Sequence, residues 1–378
     1  MQNSSSSNKF SLGLYNDARI LLISPITPLH AGAGSSPATV DLPIQRDPLG
    51  YPIIYVSSIK GALKTQLWRK HPGLSKTLLG PEPDDEEKYT SPLALIDANL
   101  LFIPARSTKG ILMVTSPHLL RRAYDLLELL ASATDKSEIR NLREKFSKLI
   151  ENMDLDIDEI LLYGDEINPS IVVAGIKLQA KKLDDEKKNA FNRIIEDAKL
   201  EKALPKAYGS LLPGSIAVLS DYVVQRIIER SLIRQTRVRI DRSSKTVSEG
   251  GLWTEEYLPP GALLLGGLLL SELLLKSQAK KLIEKEKKKI EKKEKEPEND
   301  INNILEKLKE FANKQFDGII ILNGISDKGI NISIISYDEI FGKIDIKYLV
   351  LGGKESTGKG IAKTTILPQI GGDDGGSR

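Results

Sequence analysis

Residues 30–64 read HAGAGSSPATVDLPIQRDPLGYPIIYVSSIKGALK, and this stretch decides the fold. A β-branched apolar run, ARILLISPIT (18–27), leads into it and stops at Pro28, as a buried strand would. From His30 to Pro52 the chain is rich in glycine, proline and polar residues and too long for a simple turn. Long ordered loops of this kind commonly carry function. Ile53 to Val56 reads as a short strand, and Ser58 as the N-cap of a helix over IKGALKTQLWRK. In that helix Ile59, Ala62, Leu63 and Leu67 share one face, and Lys60, Lys64 and Arg69 lie elsewhere.

Outward from this stretch, strands are expected at 93–103, 109–115, 170–178 and 216–220, with helices at 117–131, 136–152, 185–201 and 221–232. Residues 234–258 suggest two extended arms around a polar tip, a hairpin. The apolar stretch from Leu258 to Leu275 is broken by Pro259, Pro260, several glycines and Glu272. It reads as a buried strand and the start of a helix, because a membrane helix needs about 20 apolar residues. Residues 276–315 change character. Lys276 to Asp300 holds ten lysines and seven acids, a net of 10 − 7 = +3, and reads as a solvated helix broken near Pro297 and resumed at INNILEKLKEFANK. Strands return at 318–322, 332–336 and 345–351. Strands and helices alternate with neither a dinucleotide fingerprint nor a solenoid period. The pattern predicts an α+β, ferredoxin-like sandwich with large loop insertions, spanning 16–368 between disordered tails at 1–15 and 369–378.

Composition narrows the chemistry. The 378 residues carry 54 Lys+Arg against 51 Asp+Glu, so bulk charge does not attract nucleic acid and any positive site is local. The absence of cysteine excludes disulfides, thiol catalysis and cysteine-ligated metals. His30, His71 and His118 lack zinc spacing, so a metal would be a hard cation on oxygen ligands. The start, MQNSSSSNKF, has no secretory core, and the cytoplasm is the expected compartment.

Three segments stand out. Gly353 to Lys359 has the spacing of a phosphate loop, but Gly360 stands where Ser or Thr should hold magnesium, and too little chain follows for a nucleotide-binding domain. What remains is either a cradle of backbone N–H groups with Lys354 and Lys359, or a plain hairpin turn. In the 30–52 loop, Gly32 and Gly34 allow close approach of backbone to a ligand, and Asp41 is exposed among small and apolar residues. Asp47, before a proline, suits a turn; Arg46 could pair with phosphate or with Asp47. In RQTRVRIDR, alternation puts Arg237 and Arg239 on one strand face and Val238 and Ile240 on the other. Trp253 and Tyr257 either stack on bases or pack in the core. Glu255 and Glu256 either orient an RNA hydroxyl or a cation, or pair with arginine.

Together HAGAGSSPATVDLPIQRDPLGYPIIYVSSIKGALK, RVRIDRSSKTVSEGGLWTEEYLPPG (237–261) and LGGKESTGKG (351–360) resemble the backbone subunits of type III CRISPR effectors, in the RAMP superfamily. LPIQRD and LWTEEYLPPG favour the Cmr (type III-B) kind over the Csm kind. The resemblance implies an RRM-like core whose copies stack into a helical filament along CRISPR RNA. It also implies a thumb-like β-hairpin, here about 234–262, pushed between guide and complementary target RNA, which is cut beside each thumb. Other Cmr subunits, including the large signalling subunit and the small subunit, would be partners; a membrane would not. Asp41 matches the family's catalytic aspartate, His30 a loop histidine, and Glu255 (or Glu256) and Tyr257 an acidic and an aromatic position near the cut. The 276–315 segment lies outside this pattern.

The expected reaction is attack of the target's 2′-OH on the adjacent phosphate, giving a 2′,3′-cyclic phosphate and a 5′-OH. Asp41 would orient the 2′-OH or hold Mg²⁺, or another divalent cation, with its waters. A splayed nucleotide reaches the in-line geometry that A-form pairing forbids. Arg46, Lys60, Lys64, Arg237, Arg239, Gly353, Lys354 and Lys359 are the expected RNA contacts. The competing readings are a guide-binding scaffold that does not cut and, less well supported for want of a second motif histidine, a guide-processing endonuclease.

Overall fold

The computed structural model describes residues 12–35, 40–163, 169–206, 215–241, 243–293, 301–326 and 329–368. The first strands and helices are β1 (Asp17–Pro25), β2 (Ile53–Ile54), α1 (Val56–Lys70) and α2 (Pro72–Leu79). Next come β3 (Leu93–Ser107), β4 (Gly110–Thr115), α3 (Pro117–Ala131), α4 (Ser137–Ile150), β5 (Glu159–Tyr163), β6 (Ser170–Val173) and β7 (Ile176–Lys182). Then follow α5 (Asp185–Asp197), α6 (Leu200–Ala203), β8 (Ile216–Leu219), α7 (Asp221–Ser231), β9 (Ile233–Ile240), β10 (Val247–Tyr257) and β11 (Leu263–Leu270). The last part holds α8 (Glu272–Lys293), α9 (Ile301–Phe316), β12 (Ile320–Ser326), β13 (Gly329–Ile334), α10 (Tyr337–Ile344), β14 (Tyr348–Val350) and β15 (Ile361–Leu367).

Eleven strands form one mixed sheet in the order β14-β15-β1-β11-β3-β4-β8-β5-β7-β6, with β2 alongside β3. β6 touches β3 again at Val173 and Ser107, so six strands close on themselves. β1 and β11 are buried along their whole length, which is why β11 reads as a continuous apolar run and β1 as a mainly apolar one, interrupted by buried Asp17, Arg19 and Ser24. Alternate β1 residues feed two cores: Leu21 and Ile23 face one, Ala18, Ile20 and Leu22 the other. The first core is covered by α1, α2, α7, α8, α9 and α10, the second by α3 to α6. The α+β class expected from the sequence is the class observed.

Several local expectations need correction. The first helix starts at Val56, not after Ser58. Asp97 Oδ1 accepts the Val56 N–H at 2.6 Å, so a distant carboxylate does the capping, while Ser58 Oγ takes a bond from Gln45. The strand expected at 170–178 is two, β6 and β7, turning through Ala174 and Gly175 at φ 45° and 79°. β5 escaped the sequence reading. Residues 276–315 are not just a solvated insertion: Leu275, Ala279 and Ile283 of α8 and Ile304, Leu308, Ala312 and Phe316 of α9 are buried in the first core. Leu12 and Tyr15, expected in a tail, pack on the second core. Residues 1–11 of the N-terminal tail and the tail at 369–378 lie outside the described residues. Among the described residues no helix is long and apolar enough to cross a membrane.

Candidate RNA-processing site

β9 and β10 pair antiparallel as a separate two-stranded hairpin, with Tyr257 opposite Ile233 and Trp253 opposite Arg237. Its root meets both of the other conspicuous segments. The loop carrying Asp41 runs beside β10: Leu42 N–H donates to the Thr254 carbonyl (3.1 Å) and Glu256 N–H to the Leu42 carbonyl (3.0 Å). Asp41 itself is exposed, and its Oδ2 accepts the Thr254 N–H at 2.7 Å. One hydrogen bond therefore fixes where this carboxylate stands, relative to the hairpin.

Behind the loop His30 is buried, its Nδ1 donating to the Glu256 carbonyl at 2.7 Å. A carbonyl can only accept, so Nδ1 carries a proton. Nε2 faces Gly32: a Cβ there would lie 2.8 Å from it. The third segment closes the far side. Gly353 N–H donates to the His30 carbonyl (3.2 Å) and Gly360 N–H to the Pro28 carbonyl (3.0 Å). The turn between β14 and β15 is thus pinned onto the strand end that precedes the Asp41 loop.

Glu255 is the electrostatic hub. Its side chain is 1% exposed and bonded to Lys354 (2.7 Å), Arg237 (3.1 Å), Trp253 Nε1 (2.8 Å) and the Tyr257 hydroxyl. Burial alone would raise its pKa, but these four donors hold it at about 2. Tyr257 goes the other way: burial, then the Glu255 carboxylate, push its phenol up. Lys359 Nζ lies 5.4 Å over the Tyr257 ring. Glu256 heads a second network, taking Arg46 (2.9 Å), Arg234 (3.1 Å) and the Ile44 N–H (3.3 Å), while Glu229 bridges both arginines at 2.5 Å.

The structure therefore brings His30, Asp41, Arg46, Arg237, Gly353, Lys354, Glu255, Glu256, Tyr257 and Lys359 into one region. It also alters the expected uses of several. Tyr257 is fully buried, so it offers no face for base stacking. The amides of Gly353, Thr357, Gly358, Lys359 and Gly360 already donate to backbone carbonyls, so the turn is no cradle of free N–H groups at those positions; its side-chain cations carry the charge. Both glutamates pair with cations. Lys64 is engaged with Glu82 (3.2 Å) and the Pro81 carbonyl (2.9 Å). Burial, and then Lys64, lower the pKa of Lys60. Arg239 stands exposed further out on β9, and the apolar side of the hairpin is not packed: Val238, Ile240 and Leu252 are 48%, 58% and 62% exposed. Asp47 makes the expected turn, accepting from Leu49 (2.8 Å) and Tyr51 (2.9 Å).

Sequence reasoning missed Gln45, Glu229 and Thr254. Gln45 Nε2 donates to the Gly32 carbonyl and Ser58 Oγ while its Oε1 accepts the Tyr55 N–H, tying the loop to α1. Its signal was its place in the LPIQRD string. Among the described residues no group of three His, Asp or Glu side chains could hold a metal.

The sequence profile of the RAMP superfamily matches residues 22–363, and the chain belongs to that superfamily. The CMR subunit Cmr4 of Saccharolobus solfataricus is 32% identical over 270 residues, 68% of this chain and 85% of the relative. The Cmr endoribonuclease Cmr4 of Pyrococcus furiosus is 27% identical over 346 residues, 90% and 92% of the two chains. Within the superfamily, then, the chain falls in the Cmr4 family. Its fold is also similar to a chain in the cryo-EM structure of a type III-B Cmr-beta complex bound to cognate target RNA. There the TM-score is 0.63 at 26% identity, covering 93% of this chain and 98% of that one.

Proposed function

We propose that the chain is a backbone subunit of a type III-B CRISPR ribonucleoprotein in the cytoplasm, binding CRISPR RNA as a filament with other Cmr subunits and cutting complementary target RNA at regular intervals. The observation that carries this reading is the Asp41–Thr254 bond. It sets an exposed carboxylate at the root of a hairpin where Lys354, Lys359 and Arg237 gather. The sheet and its helices act as the RRM-like palm, and β9–β10 as the thumb.

In the proposed reaction the 2′-oxygen of the target attacks phosphorus as solvent water takes its proton, and the P–O5′ bond breaks as the 5′-oxygen departs and takes a proton from solvent. Asp41 orients the 2′-OH, and the Lys354 and Lys359 cations lie where the charge on the phosphoryl oxygens grows. His30 and Glu255 act as positioning residues through the backbone of β10 and through Lys354. A divalent ion on Asp41 would supply further charge stabilisation.

The test uses the assembled, guide-loaded complex with matched RNA and Mg²⁺. Regularly spaced fragments with cyclic-phosphate ends are expected, and a target with 2′-deoxy residues at the cut positions should stay intact. Full-rate cutting of that deoxy target would refute the 2′-OH mechanism. A scaffold that binds guide without cutting is the competing reading, favoured by the engagement of both Glu255 and Glu256 in ion pairs. The absence of any fragments would decide for it.

A further inference from the structure

A second cationic site lies at the base of the β14–β15 hairpin, away from the turn that meets Glu255. Lys347 and Lys363 from the hairpin and Lys202 and Lys206 from the end of α6 and beyond line a groove of about 830 Å³. Two acids, Glu201 and Asp345, share the lining, leaving lysines in excess. These cations come from separate segments. Lys363 Nζ donates to the Lys202 carbonyl, and Thr364 N–H donates to the Lys347 carbonyl at 3.0 Å, so packing rather than a simple solvated run gathers them. Burial first, and then the Lys347 and Lys206 charges against an opposing effect of Tyr348, lower the pKa of Lys363.

Beside the groove runs β14, the outermost strand of the sheet. Tyr348 pairs with Lys363 in register, so both side chains leave the same face; its ring is 46% exposed, with Lys347 Nζ 5.4 Å from its centre. An exposed aromatic set among cations is the arrangement that takes single strands, by stacking a base and pairing its phosphates. Lysine is, by contrast, depleted at the core of protein interfaces. Lys363 follows Lys359 by four residues, at most about 13 Å of chain, so one RNA spans both sites.

We infer that this groove is a second contact for single-stranded RNA, with Lys347 and Lys363 on phosphates and Tyr348 as the stacking face. The inference rests on the RNA-binding reading above and extends it to a surface outside the three sequence motifs.

The experiment compares the wild-type complex with Lys347→Gln/Lys363→Gln, Tyr348→Ala and Tyr348→Phe. One arm follows guide RNA retained by the target-free complex, the other target retained by the guide-loaded complex, each across a salt series. In the arm whose strand uses the groove, the double lysine variant should lower the slope of log affinity on log salt by about 1.4, for two contacts at roughly 0.7 each. Tyr348→Ala should weaken the same arm about tenfold, and Tyr348→Phe should leave it unchanged. Thermal melting of each variant checks that the fold is kept, and Tyr348→Ala alone decides if the lysine pair fails to fold. Wild-type affinity and slope in both arms would overturn the inference while leaving the parent reading intact. A changed particle mass with unchanged RNA affinity would overturn it in favour of a protein contact. Wild-type complex that retains no RNA at all would sink the parent reading itself.

Discussion

Lys354 Nζ sits 2.7 Å from Glu255 Oε1, joining the turn between the last two strands to the root of the β9–β10 hairpin. A carboxyl held at about 2, below its ordinary value of 4.5, stabilises the fold at neutral pH. The sign follows from linkage: the contribution is full above about pH 5 and is lost as pH falls toward 2, at roughly 3 kcal/mol in all. Lys354→Gln removes one of four donors, so its stability should fall by about 1–2 kcal/mol at pH 7. The gap from wild type should shrink below pH 4. Urea unfolding at several pH values measures this; a gap that does not change with pH would refute the coupling.

Gly352 adopts φ +74°, and a Cβ there would stand 2.0 Å from the His30 carbonyl oxygen. Gly352→Ala should therefore cost about 3 kcal/mol and loosen the turn from the Asp41 loop. Gly34 has φ +97° with nothing within 4 Å, so Gly34→Ala, strained only in backbone, should cost about 1 kcal/mol. Equal melting shifts for the two variants would show that the close packing on His30 does not matter.

Asp41→Asn keeps an oxygen to accept the Thr254 N–H and should change stability by no more than about 0.5 kcal/mol. Cleavage by the assembled complex should fall at least about a hundredfold while guide RNA stays bound. Undiminished cutting at the regular sites would remove Asp41 from the mechanism.

Glu256→Ala should leave Arg46, Arg234 and the Ile44 N–H without their buried acceptor. A loss of roughly 3–5 kcal/mol is expected, with a smaller loss for Glu256→Gln, which keeps an acceptor. Chemical denaturation checks both. A neutral alanine variant would mean that Glu229, already shared by the same arginines, suffices alone.

The convergence of the site was legible because glycine and proline mark its loops and because Asp41, Glu255 and Lys354 sit in short, distinctive strings. The individual roles were less so. Whether Tyr257 faces a base or the core depends on which side of β10 is covered, and alternation alone does not say. The reading of 276–315 followed its lysines; the buried Leu275, Ala279 and Ile283 repeat at helical spacing, but the charge around them hid that stripe. At Ser58 a local capping signal was overruled by Asp97, which is distant in sequence. β6 and β7 were merged because Ala174, at positive φ, is not a usual turn residue.

β1 lies between β11 and β15, with Ile20 opposite both Gly267 and Leu367. β1, which ends at Pro25, therefore cannot be flanked on both sides until β15, which starts at Ile361, is made, roughly 20–70 s later at ordinary rates of synthesis. Until then a mainly apolar nine-residue strand lacks one of its neighbours, and large sequence separation of this kind slows folding. Biogenesis of this subunit should depend on chaperones that shield its N-terminal segment, and truncations near residue 360 should accumulate as aggregate rather than as a shortened fold.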